Sequence, residues 1–450
     1  MRVLLHIAII IAIGLLFRAV YISRYPCIHV TYDSLGYVDI GKNIFIEPTV
    51  KNIINPYRTP LYPVFINSVM SATRSFGAQI TIPDCSQSIE TLADIQTIFN
   101  LAGLVIFYLL AMAMLKKRTI ALIATILQAT AINIVAWERS LHTEAIAIPL
   151  SILIAYAAIR AFFSPTWKRL LSVCLLSIIG ILLRPTFILY PAIIFLFIVI
   201  RHKTIQVFVK TLVASGIFLI FCLGFSHMNN VNWGYWGIQH VSDINVLSRV
   251  LAFHLPLSFT MNVHPLYEYA VTWEKTTPDG YVFTFISQYN VDVFSAAGLR
   301  TLREFNTREI MGSPFSYAAR AVADIPGSLL ILDESTVTRP DGSPILLVSY
   351  YLLLIYQYIF IAAIPIWLFA WSKNTLPVQL IGALAFGQVI LAVFVGDGMS
   401  YGRFYSSIQP LLFLYCAYWL ASLIFSSKTP LNLLSLLRGK IRAWYKIVAR

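Results

Sequence analysis

Apolar runs long enough to cross a bilayer recur along this chain, and they limit what it can fold into. A helix crossing the hydrocarbon core needs about 20 apolar residues, and every backbone polar group inside that core must be paired within the protein. Runs meeting or approaching this length fall at 3–21, 95–115, 119–137, 145–163, 170–184, 186–200, 205–225, 345–371, 377–395 and 404–425. They predict an all-α polytopic membrane protein with about ten transmembrane helices and extracytoplasmic loop helices, built as one bundle. Composition agrees: 12% of residues are charged, against about 25% in soluble domains. The first run is long and no small-x-small cleavage site follows it, so it reads as an anchor helix. The runs at 170–184 and 186–200 are short and meet at Arg184-Pro185. They are expected to be tilted, half-inserted or packed inside the bundle.

Charge assigns the sides. With the N-terminus in the cytoplasm, Lys116-Lys117-Arg118, Lys168-Arg169, Arg201-His202-Lys203, Lys373 and the tail from Lys428 all fall inside, as the positive-inside rule requires. The acids test the register. All 20 Asp and Glu lie in 33–94, at Glu138 and Glu144, in 243–341, or at Asp397, and none lies in a segment assigned to the cytoplasm. Miscounting by one span would scatter them to both sides. The net charge of +13 therefore reflects span ends and a basic tail suited to anionic lipid, and argues against a nucleic-acid partner.

Four regions follow: an N-terminal membrane module at 1–225 whose first external loop is 22–94, a large extracytoplasmic loop at 226–344, C-terminal membrane helices at 345–426, and a basic cytoplasmic tail at 427–450. Past the turn NPYRTPLYP at 55–63, residues 64–76 have the character of a short interfacial helix. Cys27 and Cys85 share the first external loop, where an oxidising compartment would allow pairing; spacing leaves that pairing open. Cys174, Cys222 and Cys416 lie in apolar runs and read as packing residues. The spans carry few ionisable groups, and Arg18, Arg160 and Lys210 lie near span ends where they can snorkel. An ion-coupled transporter is therefore disfavoured. The layout suits an enzyme at the outer interface, where cytosolic nucleotide sugars are absent and a lipid-carried donor is the natural substrate.

The segments YDSLGYVDIGKNI, YRTPLYPVFI, ERSLHTEAIAIPL, LLRPTFILYP and GDGMSYGRFYSSIQPLL occur in that order. In order and common sidedness they resemble the GT-C glycosyltransferases, nearest to the bacterial glycosyltransferase family 39 branch of protein mannosyltransferases and lipid A aminoarabinose transferases. The resemblance covers the membrane part of the chain. It implies a GT-C-like fold, a polyprenyl-phosphate sugar donor, inverting transfer to a glycan, lipid or protein acceptor, and a catalytic Asp in the first external loop. The chain departs from many relatives in one respect: Ser34 stands where they carry a second acid beside that Asp, which weakens any metal role built on an acid pair.

Asp33 is the candidate general base, since inverting transfer needs one carboxylate to take the acceptor proton and a phosphate leaving group needs no strong acid, unlike the paired acids of glycoside hydrolases. Its alternative role is to cap a helix over 34–44. Tyr37, four residues on, shares a helix face with Asp33 and is a candidate for the sugar pocket; Asp39 points elsewhere and reads as a solvated acid. Arg58, Arg184 and Arg403 are candidates for the donor phosphate, because a guanidinium can bind two oxygens of a departing phosphate. Glu138, His142 and Glu144 in ERSLHTE are expected to bind sugar or acceptor hydroxyls, or to hydrogen-bond the first loop. Their spacing is weak grounds for a metal, and neither a metal nor another cofactor is assigned. In the large loop Trp233, Trp236, His240, Asp243, His254 and His264 are candidates for acceptor recognition, with no catalytic role given. Two other readings compete: an O-antigen polymerase or ligase relying on external Arg and His, and a flippase for lipid-linked sugar.

Overall fold

The computed structural model describes residues 2–77, 80, 84, 86–253, 255, 265–276, 282–293, 295–330, 345–369, 375–396 and 405–425. Arg403, Asp397, Cys85, His254, His264, Lys373 and the basic tail at 427–450 lie outside them.

The described chain is helical, as the apolar runs require. Helix α1 (Arg2–Arg24) leads into a first loop of three helices, α2 (Tyr32–Ile46), α3 (Val50–Ile53) and α4 (Leu61–Ala72). The membrane series follows with α5 (Gln87–Leu115), α6 (Arg118–Ala129), α7 (Ile132–Glu138), α8 (Glu144–Phe163) and α9 (Trp167–Leu183). A 3₁₀ turn (Pro185–Ile188) then enters α10 (Leu189–His202), and α11 (Ile205–Trp233) carries on past residue 225 into the large loop. That loop holds α12 (Val241–Ala252), α13 (Pro265–Thr276), α14 (Val282–Gln288), α15 (Ala296–Gly312) and α16 (Pro314–Leu330). Helices α17 (Leu347–Phe369), α18 (Leu376–Val395) and α19 (Gln409–Phe425) close the described chain.

Seven of these helices are long and apolar enough to span a membrane, or eight if the bent pair α6–α7 counts as one span. The apolar runs predict about ten, and the three not counted among the seven are 119–137, 170–184 and 404–425. Helix α9 has 17 residues, a rise of about 26 Å, short of the roughly 30 Å hydrocarbon core, and α19 is described over Gln409–Phe425. The expected span at 119–137 is bent by 55° at Thr130-Ala131, where the Thr130 hydroxyl turns back to the carbonyls of Ile126 and Leu127.

The ends of α5 and α10 show how the sequence writes hairpins. Lys116 and Lys203 adopt left-handed backbone, with φ 55° and 50°, and end their helices. Basic side chains at these ends also suit the negative pole of the helix. At the core, α8 crosses α5 closely: a Cβ on Gly103 would lie 2.8 Å from the Cβ of Pro149, so glycine lets the two backbones meet around the proline. Helices α8 and α18 are central, while α1 is mostly exposed along its length.

The opposite end of the bundle from these basic hairpins gathers the segments expected outside. Ile28 pairs with Asp84 and His29 with Ser140 in isolated bridges. The Ile28 amide donates to the Asp84 carbonyl at 2.9 Å. Cys27, next to this bridge, is disulfide-bonded, and Cys174, Cys222 and Cys416 are free and buried.

Candidate active site

Helix α2 starts at Thr31, which has extended backbone (φ −124°, ψ 174°). Ser34 supports that start: its Oγ accepts from the Thr31 N–H at 3.0 Å, and the residue is fully buried. The cap is thus Thr31 with Ser34, and Asp33 is the second residue of the helix, in its first turn. The expectation that Asp33 itself caps the helix is corrected, and its carboxylate is left to point outward near the positive pole of α2.

That carboxylate has 38% of its side chain exposed, and Arg58 Nη2 donates to its Oδ1 at 2.7 Å. The same guanidinium sits 5.0 Å over the ring of Tyr37, a cation–π contact. Tyr37 is one turn along from Asp33, as its spacing requires, and meets Tyr62 edge-on at 5.2 Å. The candidate base, a candidate phosphate ligand and the candidate sugar-wall aromatic therefore form one cluster. Asp39 is exposed.

Arg58 is held by a turn that the end of α9 and residues 233–240 grip. The Tyr57 amide donates to Asn55 Oδ1 at 2.8 Å. Thr59 Oγ1 donates to the Leu183 carbonyl at 3.0 Å, bringing the turn to the residue before Arg184. From the large loop, the Trp233 indole donates to the Ile54 carbonyl at 2.9 Å and Gln239 Nε2 to the Tyr57 carbonyl at 2.9 Å. The Pro56 carbonyl accepts twice from His240, from its backbone N–H at 2.7 Å and from Nδ1 at 3.0 Å. Burial pushes the His240 imidazole down to about 4, and the Arg58 charge acts in the same direction against the backbone hydrogen bonds. His240 is therefore neutral near pH 7, with Nδ1 carrying the proton it donates to Pro56. Its aromatic partner Tyr57 stands edge-on at 4.4 Å. This bracing role has only a faint signal in the sequence: a histidine soon after an aromatic-rich helix end.

Behind the cluster, Arg184 Nη1 meets Glu144 Oε1 at 3.0 Å, and Thr143 Oγ1 donates to Glu144 Oε2 at 3.1 Å. His142 Nε2 lies 3.0 Å from Thr31 Oγ1, at the very start of α2, so the expected link from ERSLHTE to the first loop is present. His29 stacks on His142 with ring centres 6.2 Å apart. Glu138 faces the other way, into the bundle, where Arg18 of α1 grips it through both carboxylate oxygens. Gln96 Nε2 donates to the Glu138 and Ser140 carbonyls, and its Oε1 accepts from Tyr62, so the pocket aromatics are wired to the same turn. Glu138, His142 and Glu144 are all 1% exposed or less. Among the described residues, no group of three or more His, Cys, Asp or Glu is arranged to hold a metal ion.

In the large loop, Asp243 pairs with Arg303 at 2.9 Å and accepts from Tyr235 at 2.9 Å. Trp236 is half exposed beside His227.

Residues 85–226 match the sequence profile of a family described as dolichyl-phosphate-mannose-protein mannosyltransferase. No curated protein matches the chain. The match supports membership of the GT-C superfamily of membrane glycosyltransferases. It covers ERSLHTE and Arg184 but not Asp33 or Arg58, so the geometry around α2 is an independent line of argument.

Proposed function

We propose that this chain is an inverting GT-C glycosyltransferase. It moves a sugar from a polyprenyl-phosphate donor to a hydroxyl on a glycan, lipid or protein, at the outer face of a cytoplasmic membrane. The observation that carries this reading is the half-open pair at the start of α2: Asp33 accepts from Arg58 at 2.7 Å with its carboxylate still reachable, and Arg184 lies in the corner to which Thr59 ties the turn. A partly exposed acid paired with one guanidinium group, on a turn tied to the residue before a second, suits transfer from a phosphate.

In this mechanism Asp33 takes the proton of the acceptor hydroxyl as its oxygen attacks the anomeric carbon. The bond from that carbon to the phosphate oxygen breaks on the opposite face, so configuration inverts, and the electron pair leaves with the phosphate. Arg58 and Arg184 meet the charge that develops there. Arg403 joins this set by its place in the sequence alone. Tyr37 lines the sugar. Glu138, His142 and Glu144 act through the groups they hold: Glu144 aims Arg184, His142 fixes the cap of α2, and Glu138 anchors their turn to α1. Residues 1–225 then serve as the catalytic module, 226–344 as the loop that braces it and meets the acceptor, 345–426 as supporting spans, and 427–450 as a tail on anionic lipid.

The test is sugar transfer or donor hydrolysis by purified protein with polyprenyl-phosphate sugars. Wild type is expected to turn over, and Asp33→Asn to lose turnover while staying monodisperse with an unchanged melting temperature. Normal turnover by Asp33→Asn would sink the assignment of the base and favour a polymerase or ligase relying on Arg and His. Wild-type protein that carries such lipids across vesicles yet never releases sugar would instead be a flippase.

A further inference from the structure

Helix α16 divides into three sectors at 100° per residue. Tyr317, Ala321 and Asp324 share the first, and Tyr317 and Ala321 are buried. The Tyr317 hydroxyl donates to the Phe394 carbonyl at the end of α18. Arg249 of α12 bonds Asp324 at 2.9 Å and the Gly396 carbonyl at 2.7 Å. These ties are seven residues apart on α16 (317 to 324) but two apart on α18 (394 to 396). Both ties bring this sector of α16 to the C-terminal end of that span. The second sector holds Ser316 and Arg320, both exposed. The third holds Phe315, Ala319, Val322, Ala323 and Pro326, all exposed. Phe315 is 89% exposed and Val322 56%, and Met311 at the end of α15 adds another 70% exposed side chain.

An apolar stripe of this width, bordered by a polar edge, needs a nonpolar cover. Its neighbour indicates which. Helix α16 also packs on α17, and the first turns of that span expose Leu347, Val348 and Tyr351, a flank that bilayer lipid must cover. The stripe continues that lipid-covered surface.

We propose that α16 is an in-plane membrane helix. Met311, Phe315, Ala319, Val322, Ala323 and Pro326 enter the acyl border of the leaflet at that end of the bundle, and Ser316 and Arg320 stay among the headgroups. The large loop is then partly a lipid-bound element and not wholly an aqueous one. Arg249 joins the leaflet helix to α12, which begins beside His240 and so beside the Arg58 turn. The assignment does not depend on the reaction proposed above.

The experiment places the polarity-sensitive fluorophore NBD at Phe315→Cys in the full chain, reconstituted into nanodiscs. Glu304→Cys on the exposed side of α15 is the aqueous reference, and parent protein treated alike gives the background from native cysteines. Expected at Phe315→Cys are a blue-shifted emission, loss of intensity with lipid spin-labelled high on its acyl chain, and protection from aqueous iodide. Val322→Cys, on the same stripe, repeats the measurement should Phe315→Cys fold poorly. Emission matching the Glu304→Cys reference at both sites, with iodide quenching and no response to spin-labelled lipid, would overturn the proposal.

Discussion

The carboxylate of Asp33 is useful because of what does not happen to it. Thr31 and Ser34 satisfy the start of α2, so the acid is released from capping and meets Arg58 instead. Arg58 in turn keeps its position through His240, and that bond gives a pH dependence whose sign can be worked out. The folded-state value of His240 is about 4, against an ordinary 6.5. Between these values the unfolded chain binds the proton more readily, so stability falls as pH drops from 6.5 towards 4 and is fully present above 6.5. The linked loss is on the order of 3 kcal/mol. Thermal melting in detergent should therefore fall steeply over that window in wild type and more shallowly in His240→Gln, whose side chain does not titrate. Equal slopes in the two proteins would remove His240 as the buried titrating group.

At the scale of elements, α2 has its place because α4 lies directly beneath it. Asn67 of α4 donates to the Val38 and Pro63 carbonyls at 3.1 Å each, and Gly41 is the point of closest approach. A Cβ there would press on the Pro63 carbonyl and the Asn67 amide. Gly41→Ala should cost about 1–3 kcal/mol through overpacking and tilt α2, lowering turnover along with the melting temperature. Gly36, on the same helix, has open space at its Cβ, so Gly36→Ala should leave stability unchanged or raise it by roughly 0.5–1 kcal/mol. Comparing the two melting curves separates packing from helix propensity. The Arg18–Glu138 pair does comparable work at the far side of the site, where it ties the ERSLHTE turn to α1. The place of Arg18 near a span end predicts a snorkelling side chain. It is 3% exposed and ion-paired, because Glu138 at the end of α7 is buried and a buried carboxylate needs a counter-charge.

Across the whole molecule, the proposed sidedness can be checked with two cysteines. In whole cells, Asp39→Cys should react with a membrane-impermeant maleimide, while Lys203→Cys should react only after permeabilisation; both residues are exposed, and the reverse pattern would invert the topology. The helical membrane fold, the hairpin ends at Lys116 and Lys203, the short pair around Arg184-Pro185 and the pairing of Asp33 with Tyr37 on one face were all legible beforehand. Each follows from apolar length, from local backbone preference or from helical period, and so from neighbours in the chain. Other features were not legible: the 55° bend between α6 and α7, the partners of Arg58, Arg184 and Glu138, and the brace from His240. These depend on contacts between residues such as 58 and 33, 144 and 184, or 56 and 240, whose separation along the chain says nothing of their distance in space. Sequence alone determined that the chain lives in a bilayer and where its acids and bases collect, because hydrophobic burial and charge exclusion act on each segment by itself. Only the tertiary structure decided which guanidinium meets which carboxylate. An ion pair is formed by whichever groups packing leaves facing each other away from water, and packing belongs to the bundle, not to any one helix.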